Sequence, residues 1–201
     1  MSFEPLQQRS VGKNIALVLA GWILVASAIG LAGWFRTASA PLVAATVWTL
    51  TALILLACWK VSSLRHWAMK VDLRGLVLLH LTRFVAGSYF LFLCRRGELP
   101  SAFATPAGWG DIIVAALAIL LLALPGVRNW KMLLFWNMIG FADILFVVMT
   151  ALRLGLADWQ SMRALRELPL SLLPTFLVPL IIASHALIFI RALRLKRLPT
   201  S

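Results

Sequence analysis

Residues 77–87 read VLLHLTRFVAG and set His80 and Arg83 three positions apart inside a long apolar run. A guanidinium in such a run needs an anion or a route to water. Further polar groups stand in other apolar runs: Asn137 and Asp143 in one, His185 in another. Arg83 and Asp143 have the chemistry of a buried ion pair. His80 and His185 have the chemistry of proton exchange or of axial ligation, and a bis-histidine b-type haem uses two such residues on different helices. HxxR at 80–83 also suits a phosphate headgroup, which keeps a lipid-modifying enzyme among the readings.

The chain that must position these groups has 201 residues, of which 62% are hydrophobic and 13% charged. A soluble domain carries roughly 25% charged residues. The expected class is an all-α, polytopic membrane bundle. The formal charge of +12 does not point to nucleic acid, because the basic residues gather at the ends of the apolar runs. There they act as topology signals and headgroup contacts. Cys58 and Cys94 show no CxxC or Cys/His metal spacing and read as apolar fillers.

Six spans are predicted, at about 14–35, 41–59, 75–94, 109–127, 131–153 and 168–193, in a single domain over 1–201. The fourth is closed by LPG at 124–126. The first is too long for a signal-peptide core and reads as retained. The basic residues flanking the spans number twelve on the side of the N-terminus and six on the other, with Arg83 inside a span. That asymmetry places both termini in the cytoplasm. The segment 154–167 reads as a surface amphipathic helix with Met162, Leu165 and the stem of Arg166 on one side.

Helical spacing puts His80, Arg83, Gly87, Phe90 and Cys94 on one stripe of the third span. At 1.5 Å per residue, Arg83 lies about 12 Å from the inner boundary, His185 about 12 Å, Asn137 about 9 Å and Asp143 about 18 Å. His80, Arg83, Asn137, Asp143 and His185 thus form the candidate intramembrane cluster, with Asp143 the expected partner of Arg83. Asp111 is expected at the outer face, too far for that pairing, either capping the fourth helix or joining Arg95, Arg96 and Glu98 in an outward mouth. Pro174, Thr175 and Pro179 are the candidate hinge of the sixth span, since prolines free backbone carbonyls.

LPSAFATPAGWGD at 99–111, with the arginine-bearing span before it and WNMIGFAD at 136–143 after it, resembles a group of small, uncharacterised bacterial membrane proteins over about 80–193. The resemblance implies a six-helix inner-membrane protein and no particular activity.

No GxSxG, HExxH or Walker A motif is present, and an enzyme is not the expected class. No metal site and no cofactor are expected, haem b at His80 and His185 being the alternative. The leading expectation is a small-solute or proton-coupled permease. The alternatives are a non-catalytic membrane accessory or sensor, and a b-haem or lipid-modifying membrane enzyme. Expected partners are the lipid bilayer and a second copy or another membrane protein, and not nucleic acid.

Overall fold

The computed structural model describes residues 4–124, 127 and 129–196. Pro125 and Gly126 of the expected helix stop lie outside that set, as do Arg128 and Arg197 of the flanking basic residues. The described chain is helical and contains no strand. Six helical stretches are long and apolar enough to cross a membrane. They correspond to α1 (Glu4–Leu31), α2 (Ala40–Lys60), the pair α4 (Leu73–Leu79) and α5 (Thr82–Arg95), α6 (Ser101–Ala123), α7 (Trp130–Ala157), and α8 (Val178–Lys196) with the π-turn Leu173–Leu177 before it. A short helix, α3 (Ser62–Lys70), links α2 to α4.

The third span differs from expectation in being interrupted. The amides of His80, Leu81, Arg83 and Phe84 each bond three residues back, to Val77, Leu78, His80 and Leu81. This is 3₁₀ winding, which tightens the chain locally. The predicted stripe still faces inward: His80, Arg83, Gly87 and Phe90 are buried and Cys94 is half-buried.

The fourth span begins earlier than expected. Residues 95–108, read as a compact loop, instead hold a five-residue turn and the first two turns of α6. The turn is a Schellman motif. Gly97 adopts φ 70°, its amide bonds Cys94 O, and the Glu98 amide bonds Leu93 O at 2.9 Å. Leu99 then plugs into the core at 2% exposure, and Ser101 starts the helix. Pro106 sits inside α6, near its start.

Glycines let two helices meet. A Cβ at Gly87 on α5 would stand 2.5 Å from the Gly108 carbonyl oxygen on α6. A Cβ at Gly108 would stand 2.9 Å from Gly87 O, so the α5–α6 backbones touch at this crossing. One apolar cluster, around Phe90, Leu99, Phe103 and Met162, fills the end of the bundle at the α5–α6 turn. Another, around Val77, Leu121, Leu133 and Ile188, fills the opposite end. The polar groups lie between the two.

The segment 154–167 is not a surface helix. α7 runs on to Ala157, Asp158 Oδ1 accepts from the Gln160 and Ser161 amides, and a 3₁₀ turn covers Arg163–Arg166. Met162, Leu165 and Arg166 do share one direction, but that direction is the protein interior. Trp22 is half-buried and Trp136 buried between helices, whereas Trp48 is 41% exposed.

Candidate functional site

Arg83 is 1% exposed and is held on three sides. Its Nε donates to Asp111 Oδ1 at 2.6 Å, its Nη1 to the Gly140 carbonyl at 3.0 Å, and its Nη2 to Asp143 Oδ2. The Arg83–Asp143 pair expected from depth is therefore present. Asp111, expected near the outer face, is the second acid of the same site. It neither caps α6 nor joins Arg95, Arg96 and Glu98. The reason is the early start of α6. Asp111 lies ten residues in from Ser101, about 15 Å. Arg83 lies twelve residues from the end of α5 at Arg95, about 18 Å, so the antiparallel hairpin brings them level. At the turn itself, Arg95 is exposed, and Arg96 Nε pairs with Glu98 Oε1 at 2.5 Å on the surface.

Gly110 and Gly140 complete the site, and no reading of the sequence tied either of them to Arg83. A Cβ at Gly110 would collide with the Asp143 carboxylate. Gly140 offers its carbonyl to Arg83, and a Cβ there would stand 2.7 Å from His185 Cε1. Gly140 thus forms the wall between the arginine–acid triad and the histidines.

His80, Asn137 and His185 have 0% exposure. Asn137 Nδ2 donates to the His185 carbonyl at 3.1 Å, and its Oδ1 lies 2.8 Å from His185 Nδ1. His80 Nε2 lies 3.0 Å from Ser184 Oγ. The imidazole centroids are 4.3 Å apart at a tilt of 53°, with Trp136 set edge-on to His80 at 4.9 Å. The two rings are in direct contact, so this arrangement has no room for a porphyrin between them. All five residues of the predicted cluster are brought together, in two adjoining groups.

An apolar cavity of about 80 Å³ abuts the triad. Arg83 and Asp111 form its polar wall, and Val47, Phe90, Ile144, Pro174 and Ile181 lie among its apolar lining. The hinge residues border this region. Pro174, Thr175 and Pro179 are buried, and Thr175 Oγ1 donates to Ser171 O at 2.7 Å. The indole N–H of Trp22 donates to the Thr175 carbonyl at 2.9 Å. Pro179 has no amide hydrogen to offer that carbonyl, so the indole takes the place of the missing donor.

The structure defines a class: a bundle of six membrane-length helices with one guanidinium and two carboxylates bonded together in its interior. Residues 40–193 match the model of a domain of unknown function, DUF8737, and the chain belongs to that family. No curated protein and no solved structure matches it. α1 lies outside the matched range, and every residue of the site lies within it.

Proposed function

We propose that the chain is a multi-pass carrier of the bacterial inner membrane, with both termini in the cytoplasm, moving a small solute or coupling to protons. The charge count carries this reading. Two carboxylates share one guanidinium in the bundle interior, so one negative charge is left over whenever both are ionised. Uncompensated charge there is costly, so the triad is suited to taking up and releasing one positive charge. The adjoining cavity and the proline-bordered start of the last span supply space and a bend beside it. Bent or broken helices at mid-depth line the binding sites of many carriers. The twelve-to-six distribution of flanking basic residues supports the orientation.

The test uses purified protein in liposomes with a trapped pH dye and an imposed potassium diffusion potential. Proton entry faster than in protein-free vesicles, and abolished in Asp111→Asn, is the expected result. Entry no faster than in empty vesicles with folded wild-type protein would overturn the proton-coupled reading. A second reading, a non-catalytic accessory or sensor, draws on the three-sided bonding of Arg83, which suits a lock between α5, α6 and α7.

A further inference from the structure

The cavity beside the triad is elongated. Its lining runs from Arg83 to Phe90 on α5 and from Ile144 to Leu152 on α7, about 10–12 Å of helix in each case. A volume of about 80 Å³ drawn out over that length makes a narrow slot. Small side chains leave the room for it: Ala40 and Ala44 on α2, Ala86 on α5 and Ala151 on α7. Arg83 and Asp111 stand at one end, and Trp159 and Leu165 stand at the other.

Polar atoms are available at the first end only. The indole N–H of Trp159 is committed to Ala38 O at 2.6 Å, and the walls between the two ends are aliphatic or aromatic. An apolar space of this kind does not hold water and takes an apolar guest. At the triad end that guest meets a carboxylate, which a bare hydrocarbon end would leave unsatisfied.

Charge and donor number define the guest's head. Asp111 meets Arg83 through Oδ1, so Oδ2 is the oxygen left to accept from a guest. Arg83 is already opposed by Asp111 and Asp143. An anionic head would add a second surplus negative charge when both acids are ionised, and a neutral head would leave the first one standing. A protonated amine cancels it. A primary ammonium brings three N–H donors and would leave two unpaired against apolar walls. A tertiary ammonium brings one donor for the one acceptor.

We propose that this slot binds a protonated tertiary amine with one unbranched alkyl chain, its N–H on Asp111 Oδ2 and its chain lying toward Trp159. The role of that amine as cargo rests on the carrier reading, while its binding does not.

The experiment uses the full chain in nanodiscs and photolabelling with N,N-dimethyloctylamine that carries a diazirine at its chain end. Adducts should fall on Leu152, Trp159 or Leu165, at the far end of the slot. Unlabelled dimethyloctylamine should compete at a concentration at least about tenfold below that of octanol, because a close charge pair contributes at least that factor. Octanoate should not compete. Asp111→Asn removes the surplus charge and should weaken labelling about tenfold or more. Ala44→Leu fills the slot and leaves the triad in place, and it should abolish labelling. Adducts confined to outward-facing side chains such as Leu17 and Phe135 would overturn the proposal. Equal competition by octanol would overturn it too, leaving a slot that does not select charge. Adduct positions and competition are read on the wild-type chain, so a poorly folding variant leaves the test intact. Slot adducts without proton entry into liposomes would overturn the carrier reading alone, and proton entry without slot adducts would overturn the amine site alone.

Discussion

The carboxylate of Asp143 on α7 occupies the space that a side chain at position 110 of α6 would fill. The absence of a Cβ at Gly110 is therefore what lets Asp143 reach Arg83. Gly110→Ala must push the carboxylate away or part the two helices, and overpacking of this kind costs about 1–3 kcal/mol. Thermal unfolding in detergent should show the loss. Gly21→Ala is the matched control, since nothing lies within 4 Å of a Cβ there, and it should melt no lower than wild type. Equal melting of the two variants would show that the α6–α7 contact yields freely.

The two acids of the triad predict a non-additive pair of substitutions. Asparagine has the shape of a protonated aspartate and keeps an oxygen to accept from Arg83. With two acids on one guanidinium, either Asp111→Asn or Asp143→Asn alone leaves an ion pair and removes the excess charge. Each single variant should lose less than about 1.5 kcal/mol, while the double variant leaves Arg83 buried without an anion and should lose about 3–5 kcal/mol. A double-mutant cycle on melting or denaturant midpoints measures this directly. A strong loss in Asp143→Asn alone would mean that Asp111 does not share the arginine.

Periodicity and depth reached a large part of this site from the sequence. Apolar length alone marked six spans, because no water-soluble packing hides so much apolar surface. Counting 1.5 Å per residue from span ends brought Arg83 to Asp143 and His80 to His185. The same count failed for Asp111, because its origin was wrong. SAFATPAGW contains a proline and a glycine that read as loop, yet it winds as helix around Pro106. An error of eight residues at one helix start moved Asp111 by about 12 Å, from mid-bundle to surface. Gly110 and Gly140 were illegible for a different reason. A glycine's role is set by what another helix places against it, and a single sequence does not carry that. Arg166 was legible as a cation and not as a buried one, because its burial depends on carbonyls from a distant loop.

That last residue carries its own prediction. Arg166 is 6% exposed, donates to Arg36 O at 2.8 Å and lies over the Trp159 ring at 5.1 Å. Trp159 in turn donates from its indole to Ala38 O at 2.6 Å. The loop after α1 is thus tied to the segment after α7 by two side chains that satisfy its carbonyls. Arg166→Lys keeps the charge and loses the planar fork, and it should cost about 1–3 kcal/mol. Faster amide exchange at residues 36–40 is the local readout. Unchanged exchange in that loop would show that the tie is incidental.

Trp22, Thr175 and Pro179 give a prediction about the start of the last span. The Thr175 carbonyl has no amide four residues ahead of it, since position 179 is proline, and the Trp22 indole donates to it instead. Trp22→Phe keeps an aromatic ring beside Phe176, which the indole meets edge-on at 5.1 Å, and removes the donor together with the pyrrole half of the indole. The orphaned carbonyl should cost about 1–3 kcal/mol. Pro179→Ala restores an amide at the position that can serve the same carbonyl. If the indole substitutes for that missing amide, Trp22→Phe should cost clearly less in the Pro179→Ala background than in wild type. The four melting points of the cycle give the coupling. Equal costs in both backgrounds would mean that Trp22 stabilises the bundle by packing alone, and that the bend at Thr175 needs no donor from α1.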